Sequence, residues 1–390
     1  MISRYAPSYV FDDLVKSFSR SRSASVYTEL SDKLKELYGV KHVFLLDSGK
    51  ESISVLLKAY DRPGAVLTPA YNCIAVPQAV ARAGYYSRFV DARPGQLNVD
   101  IDDFIDAITP EVTVLMPVHL FGIPWRMDEL YKKLGRQDLL VVEDAAPAFG
   151  ASLNGQKVGT FGDAFIISFH WTKPVSGETG GAILTHDDDL AQRIENLYSR
   201  SRPPRNRLSL FLRTWMRKVI TSRGVYPLTH FAYKTLFGED MYEVVPDEKK
   251  SPLNNVKKMS PFSAALILSQ LERLESNLAR RDEIAAIYRE QLSGESGVIL
   301  PEAPADSQPS WIQYPIMVNS KEDFYKYMQS HNIDVTWSYR YSCPDTYQHN
   351  GFKNSHLIAS SIIGLPTFPL LSDDDVLKVA SLAKKYFTMG

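Results

Sequence analysis

Two charged residues, Asp144 and Lys173, each stand close behind a short apolar segment of the chain. Asp144 ends the run LLVVED, and Lys173 ends SFHWTK, which directly follows the apolar residues AFII. Groups at strand ends are where α/β enzymes hold their chemistry. A carboxylate and a lysine in this setting predict a pyridoxal phosphate site, because that cofactor needs an amine as its covalent anchor and an anion beside its ring nitrogen.

Each of these residues also has an ordinary structural interpretation. Lysine is usually a solvated surface residue, but the flanks of Lys173, an apolar strand before it and Gly180-Gly181 after it, do not favour that role. Asp144 precedes Ala-Ala-Pro-Ala and could cap a helix. Ser168, five residues before the lysine, offers a hydroxyl for a phosphate oxygen, although a serine alone is weak evidence.

A phosphate site is predicted after the first apolar segment, where Asp47, Ser48, Gly49, Lys50 and Glu51 lead into a helix. A glycine turn that opens a helix presents free backbone N–H groups and the positive end of the helix dipole to an anion. The side chain of Lys50 would add a cation. An ordinary helix cap by Asp47 or Ser48 explains the same pattern equally well.

Two further strand ends carry polar or polarisable side chains. Tyr71 and Cys73 follow one apolar segment and offer a residue to pack on the cofactor ring; Cys73 is otherwise expected to be buried and unreactive. His119 follows VLMPV. For this histidine a structural hydrogen bond is favoured over a catalytic role.

The elements that position these residues alternate between short apolar runs and helix-length amphipathic segments. The predicted strands cover residues 43–46, 65–68, 85–90, 112–118, 139–142, 164–169 and 182–185. This alternation predicts an α/β fold, a mainly parallel sheet covered by helices. The Asn154-Gly155 step predicts a tight hairpin just after the Asp144 strand.

A second region begins near residue 259, where apolar residues that recur every three to four positions predict a long, broken helix. It continues with a strand in WIQYPIMV, a helix from about 321, a strand-like DVTW and a closing helix after Ser372. We expect a smaller α+β domain here. The predicted domains are 1–250, which would bind the cofactor, and 251–390.

Composition excludes several classes of protein. The formal net charge of −1 over 390 residues gives no general reason to expect nucleic acid binding. The two cysteines, Cys73 and Cys343, form neither a disulfide framework nor a metal-binding pattern, so no metal is predicted. The first residues carry no apolar signal region, and no run of about 18 apolar residues occurs. The expected location is the cytoplasm.

The basic insert at about 200–238 lacks any acidic residue but contains nine lysines and arginines. Within it, an apolar stripe is predicted along one helix face; the stripe comprises Leu208, Phe211, Leu212, Trp215, Met216 and Val219. The simplest interpretation is a helix that packs against its own protein or a dimer partner. Two alternatives stay open, namely peripheral contact of 200–223 with an anionic membrane and contact of its arginines with substrate phosphates.

Taken together, the residues resemble the DegT/DnrJ/EryC1/StrS family of sugar aminotransferases. The resemblance rests on ordered segments along most of the chain, among them VFLLDSGKESI, VLTPAYNCIAVPQAVARAGYYSRFVD, VVEDAAPAFGASLNGQKVGTFGDAFIISFHWTKPVSGETGG, SPFSAALILSQLERLE and LPTFPLLSDDDV. It implies the three-layer fold of aspartate aminotransferase and pyridoxal 5'-phosphate as cofactor. It also implies a homodimer with shared active sites that moves an amino group, usually from L-glutamate, to a nucleotide-linked keto-sugar.

The resemblance also implies roles for individual residues. Lys173 would form the Schiff base with the cofactor and then move the proton, Asp144 would pair with the ring nitrogen, and Ser168 would bind the phosphate. Lys50 and Glu51 would occupy the backbone-amide positions of the phosphate loop, behind Gly49. A lysine at 173 argues against the dehydratase branch of the family, which has histidine there.

Several positions depart from the common family pattern. Lys50 stands where threonine is usual, Pro147 where glutamine is usual, and Cys73 where an aromatic residue often stacks on the ring. Tyr71 or His119 could replace that packing. Val256 occupies the place of an asparagine that often reaches the partner subunit's phosphate, and two asparagines lie just before it, Asn254 and Asn255.

The favoured function is therefore transamination of a nucleotide-linked keto-deoxysugar. Alternatives are an aminotransferase that acts on another cyclic ketone or on a lipid-linked sugar at a membrane, and a non-catalytic family member with a drifted cofactor site. Neither the sugar, the nucleotide nor the aminated position follows from one sequence, because pocket contacts determine such selectivity.

Overall fold

The computed structural model describes residues 1–135, 138–237, 253, 255–346 and 350–389. A seven-stranded sheet lies at its centre, in the order β1-β9-β8-β5-β4-β2-β3. Its strands are β1 (His42–Leu46), β2 (Ala65–Pro69), β3 (Tyr86–Val90), β4 (Val112–Leu115), β5 (Leu140–Asp144), β8 (Ala164–Ser168) and β9 (Gly181–Thr185). Only β9 runs antiparallel to its neighbours, β1 and β8. The predicted α/β fold with a mainly parallel sheet is confirmed.

Helices cover both faces of this sheet. They are α1 (Phe11–Arg20), α2 (Ser25–Tyr38), α3 (Gly49–Tyr60), α4 (Ala75–Arg82), α5 (Ile101–Asp106), α6 (Met127–Leu134), α7 (Asp188–Tyr198) and α10 (Pro261–Leu271), with a 3₁₀ turn at Leu120–Gly122. Successive residues of β1 alternate between two cores: Leu45 packs with α2 and α10, whereas Phe44 and Leu46 pack with α3 and α7. This alternation of side chains across a strand produces three layers.

A short hairpin leaves the sheet after β5, where the Asn-Gly step predicted one. Strands β6 (Ser152–Leu153) and β7 (Gln156–Lys157) pair in antiparallel fashion around Asn154 and Gly155. Both turn residues have positive φ, 51° and 76°, as a type I′ turn requires. Strand β6 also pairs in antiparallel fashion with β11 (Ser307–Gln308). This small sheet therefore connects the central part of the chain to the C-terminal part.

The C-terminal part has its own sheet, in the order β10-β12-β13. Its elements are α11 (Leu274–Leu292), β10 (Val298–Ile299), β12 (Tyr314–Val318), α12 (Lys321–Ser330), α13 (Cys343–Thr346), α14 (Lys353–Ser361), β13 (Ile362–Leu365) and α15 (Asp373–Met389). The predicted broken helix is confirmed, since α10 ends at Leu271 and α11 begins at Leu274. The predicted strand in DVTW is wrong. Only Thr336 forms a bridge, to Gly364, and the third strand is β13.

The predicted boundary between residues 250 and 251 lies outside the described residues, so the division into two domains stays a prediction. Helix α10 packs into the core beside α2, whereas α11 and α15 enclose the C-terminal core. Among the described helices, none combines the length and the apolar character that crossing a membrane needs.

The described part of the basic insert contains two helices, α8 (Arg207–Ile220) and α9 (Tyr226–Phe237). Helix α8 packs against its own chain, as one interpretation expected, but through a different face. Leu210 joins a buried cluster with Leu14 and Phe262, and Thr214 is fully buried. Most of the predicted apolar stripe is exposed instead. Residue 238, the predicted end of the insert, lies outside the described residues.

Candidate active site

A cavity of about 550 Å³ lies where the carboxyl ends of β5 and β8 meet the N-terminus of α3. Every predicted cofactor residue except Glu51 lines it, and these residues are Gly49, Lys50, Cys73, Asp144, Ser168 and Lys173. They come from four segments that are distant in sequence. The position is the one expected for the site of an α/β fold, outside the carboxyl ends of parallel strands.

Lys173 lies in a tight turn just beyond β8. Its backbone N–H donates to the carbonyl oxygen of His170 at 2.8 Å, and its side chain reaches the cavity wall rather than open solvent. Burial lowers the pKa of the Lys173 ammonium, although Cys73 and Asp144 oppose this shift. A lowered pKa favours the neutral amine, which is the nucleophilic form.

Asp144 is the last residue of β5 and is almost wholly buried. One carboxylate oxygen, Oδ1, accepts the backbone N–H of Ala146 at 3.0 Å. The following described residues form turns and no helix, so the alternative in which Asp144 caps a helix is wrong. Burial raises the pKa of Asp144, while Ala146, Lys173 and His119 oppose the increase. A further cation in the cavity would stabilise the ionised form.

The N-terminus of α3 forms the floor of the cavity beside Ser168. The Oγ of Ser48 accepts the backbone N–H of Glu51 at 3.1 Å, so the predicted serine cap is confirmed. A Cβ at Gly49 would lie 3.1 Å from the Cβ of Ser168, and one at Gly181 would lie only 2.4 Å from the carbonyl carbon of Ser48. Glycine at 49 and 181 therefore lets the helix end approach Ser168 closely.

Lys50 and Glu51 differ in where their side chains go. Lys50 lines the cavity, and its Nζ donates to Gln78 Oε1 at 3.0 Å. Burial and the nearby Arg82 lower the pKa of Lys50. The Glu51 carboxylate does not line the cavity: it pairs with Arg82 and accepts the N–H of Lys257 at 2.8 Å. Because Ser48 also takes its backbone N–H, Glu51 is a structural residue, and its predicted place among the phosphate-binding amides is not favoured.

His119 lies behind the cavity wall and is fully buried. Its Nδ1 accepts the backbone N–H of Trp125 at 3.0 Å, so Nε2 carries the proton and donates to Glu143 at 3.0 Å. The structural role predicted for this histidine is confirmed. Neither His119 nor Tyr71 is among the residues that line the cavity, so the expectation that one of them packs on the cofactor ring is wrong. Cys73 does line it.

The departures from the family pattern surround the cavity. Lys50, Cys73 and Pro147 all line it. Val256 instead packs against the core beside α3, and Asn255 is exposed. Asn254 lies outside the described residues.

Sequence reasoning missed residues that reach the cavity from remote segments. Arg4 and Tyr5 come from the N-terminus, and the stretch 336–339 comes from the C-terminal part. No local pattern marks either segment. Trp171 also lines the cavity, and its place two residues before Lys173 was a signal available in the sequence.

A buried ion pair supports the loop that carries Lys173. Glu178 is 1% exposed and has a positive φ of 67°. Arg217 of α8 binds its carboxylate through two nitrogens at 2.8 Å, and Arg213 lies 3.0 Å from it. The Arg217 guanidinium also lies 4.2 Å from the centre of the Trp171 ring. Helix α8 is thereby connected to the wall of the cavity.

The comparison with known families agrees with this geometry. Residues 14–383 match the model of the DegT/DnrJ/EryC1/StrS aminotransferase family. The chain belongs to this family. A GDP-perosamine synthase from Caulobacter vibrioides is 30% identical over 267 residues, which cover 68% of this chain and 61% of that protein. A dTDP-4-amino-4,6-dideoxy-D-glucose transaminase from Shigella dysenteriae is 25% identical, over 94% of this chain and 91% of that protein.

Solved structures show the same fold. The S. venezuelae protein DesV, in complex with a ketimine intermediate, superposes with a TM-score of 0.77 at 22% identity, over 96% of this chain and 94% of that one. The aminotransferase TlmJ from Streptoalloteichus hindustanus reaches 0.79 at 19% identity, over 100% and 99% of the two chains. Membership of the family over residues 14–383 makes the chain an aminotransferase, and the aminotransferases of this family depend on pyridoxal phosphate.

The cavity fits this cofactor. It combines a lysine of lowered pKa, a buried carboxylate and a helix N-terminus held against a serine hydroxyl, which are the anchor, the ring-nitrogen partner and the phosphate site that the cofactor needs.

Both cysteines, Cys73 and Cys343, are free thiols. In the described ranges, no three His, Cys, Asp or Glu side chains form a group able to hold a metal ion.

Proposed function

We propose that the protein transfers an amino group from L-glutamate to a nucleotide-linked keto-deoxysugar. The observation that carries this proposal is the meeting of Lys173 and Asp144 at one cavity, with the N-terminus of α3 and Ser168 beside them. The relatives from Caulobacter and Shigella, a GDP-perosamine synthase and a dTDP-sugar transaminase, support the sugar nucleotide as acceptor.

Each of these residues has a defined task in this reaction. Lys173 Nζ would hold the cofactor and then move a proton to and from the reacting substrate carbon. The Asp144 carboxylate would keep the proton on the pyridine nitrogen. The backbone N–H groups at Gly49 and Lys50 and the hydroxyl of Ser168 would bind the phosphate. Bound pyridoxal phosphate supplies the electron sink that stabilises negative charge at the substrate carbon.

The lowered pKa of Lys173 and the raised pKa of Asp144 suit these tasks. Burial favours the neutral form of both groups, so Lys173 can take up a proton and Asp144 gains most from a cationic partner. The aromatic side chains of Trp171, Trp337 and Tyr339 also line the cavity and would limit the access of water. The proposal includes a homodimer with shared active sites, for which the family resemblance is the support.

The test follows the two halves of the reaction separately. Purified protein is loaded with pyridoxal phosphate and mixed with L-glutamate, and the loss of the cofactor's visible absorbance is followed together with the release of 2-oxoglutarate. A panel of keto-sugar nucleotides is then added, and recovery of the absorbance identifies an acceptor. The matched control is the same keto-sugar without its nucleotide, which should react far more slowly.

Different results support different alternatives. Protein that stays colourless after pyridoxal phosphate is added would contradict the proposal and favour the non-catalytic alternative. Reaction with L-glutamate but with none of the sugar nucleotides would favour another cyclic ketone or a lipid-linked sugar as acceptor.

A further inference from the structure

The face of α8 that points away from the protein is apolar, and we call it the outer face. Its residues are Leu208, Leu212, Trp215 and Met216, all exposed, with Leu212 51% and Trp215 47% accessible. At 3.6 residues per turn these four positions fall within an arc of about 100°. Leu210 and Thr214, which are buried, lie about 180° away from its centre. The outer face is therefore separate from the face that holds α8 to its own chain.

The following helix adds to this apolar surface. In α9, Leu228 is 72% and Phe231 is 70% exposed. Neither helix depends on these side chains for attachment, because α8 is fixed by Leu210 and by the ion pairs of Arg217 with Glu178, and α9 by the hydrogen bond of Tyr226 to Asp334. A cluster of large exposed apolar side chains on a firmly attached segment indicates an interaction surface.

The charge of the same segment is of one sign only. No aspartate or glutamate occurs from residue 196 to 238. Three exposed arginines precede α8, namely Arg200, Arg202 and Arg205. Arg213 and Arg223 are also exposed, but they pair with Glu178 and Asp375 of the same chain. The partner that complements this surface is anionic and also accepts apolar side chains.

The same segment of a second copy does not meet both conditions. If α8 and α9 of two copies faced each other across a twofold axis, the arginines of one copy would repel those of the other. A nucleic acid would complement the charge, but it offers little to isolated leucine and methionine side chains. An anionic lipid surface satisfies both, because lipid headgroups pair with arginine while leucine and tryptophan insert at the acyl boundary.

We propose that helices α8 and α9 bind the surface of an anionic membrane, with the outer face of α8 inserted at the interface and the arginines in contact with lipid headgroups. This contact is peripheral, as expected for an amphipathic basic helix. Because Arg217 connects α8 to Trp171 at the cavity wall, the docked enzyme would hold its active site close to the membrane.

The experiment is cosedimentation of the whole protein, loaded with pyridoxal phosphate, with vesicles of phosphatidylcholine alone or mixed with phosphatidylserine. We expect binding only to the mixed vesicles, weakened by added salt. The double variant Arg202→Ser/Arg205→Ser should bind about 25-fold more weakly, since each arginine near an anionic surface contributes about fivefold. The double variant Leu212→Ser/Trp215→Ser should lose about tenfold or more.

Leu357→Ser is the matched control, because Leu357 is also 51% exposed but belongs to α14; it should bind like the parent protein. Absence of binding to the mixed vesicles, or binding that neither double variant weakens, would overturn the proposal. So would a change of oligomeric state in Leu212→Ser/Trp215→Ser by analytical ultracentrifugation, which would make the outer face a contact between copies. Vesicle binding is measured without substrate, so its failure is distinct from failure of the proposed transamination.

Discussion

Replacing Gly181 with alanine tests how the phosphate site is built. Gly181 begins β9 directly beside the N-terminus of α3, and a Cβ there would lie 2.4 Å from the carbonyl carbon of Ser48 and 2.5 Å from the nitrogen of Gly49. Carbon contacts in proteins are normally about 3.5 Å or more. The alanine would therefore displace the first turn of α3 by about 1 Å, and with it the backbone N–H groups proposed to bind phosphate.

A displacement of this size is large for a binding site, since 1 Å of misplacement can cost about a hundredfold in rate. We expect Gly181→Ala to weaken pyridoxal phosphate binding at least tenfold (about 1.4 kcal/mol), measured by titration of the apoprotein with the cofactor and loss of tryptophan fluorescence. Gly224→Ala is the control, because a Cβ at Gly224 meets no atom within 4 Å. It should bind the cofactor like the parent protein.

The outcome that refutes this reasoning is a Gly181→Ala protein that binds pyridoxal phosphate as tightly as the parent. It would show that the N-terminus of α3 does not hold the phosphate, or that the helix adjusts without loss. Thermal unfolding of the apoprotein distinguishes a local defect from global unfolding, since only a folded variant with weakened cofactor binding supports the account.

Two other substitutions probe the groups around Lys173. Arg217→Ala should lower the free energy of unfolding, measured in urea, by about 2 kcal/mol. This is below the roughly 3–5 kcal/mol typical of a broken buried pair, because Arg213 still pairs with Glu178. The control Arg88→Ala breaks an exposed pair and should cost less than about 1 kcal/mol; equal losses in the two variants would contradict this reasoning. Asp144→Asn should stabilise the apoprotein at neutral pH yet weaken cofactor binding. Burial raises the pKa of Asp144 in the folded protein, so the protonated carboxyl stabilises the fold fully below the unfolded pKa, and this stabilisation is lost as pH rises through the folded pKa. The gain in melting temperature from Asp144→Asn should therefore disappear on acidification. A gain independent of pH would contradict this.

The fold could be predicted from the sequence because its signals are local. Buried strands appear as short apolar runs, and the Asn154-Gly155 step specifies its turn by the positive φ that both residues adopt. DVTW failed for the opposite reason. Its alternating pattern suits a strand, but its backbone bonds to two separate segments, Asp334 to Ile2 and Thr336 to Gly364, so no continuous ladder forms. Whether a segment forms a strand depends on the backbone segment that pairs with it, and a local sequence pattern does not identify that segment.

The site was predictable where residues lie at strand ends or helix starts, as Lys173, Asp144 and Ser48 do. The side chain of Glu51 was not predictable, because its neighbours in sequence give no sign of Arg82 and Lys257, which bind its carboxylate. The stripe on α8 was recognised, but amphipathic periodicity identifies an apolar face without identifying what covers it. Residues such as Arg4 reach the cavity only through the tertiary fold.

The most direct test of the central claim asks which residue holds the cofactor. The protein is incubated with pyridoxal phosphate, reduced with borohydride and digested, and its peptides are analysed by mass spectrometry. We predict that the reduced cofactor is attached to Lys173, and that Lys173→Ala carries none and lacks the visible absorbance of the parent protein. Attachment to another lysine, such as Lys50, or an unchanged spectrum in Lys173→Ala, would contradict the account.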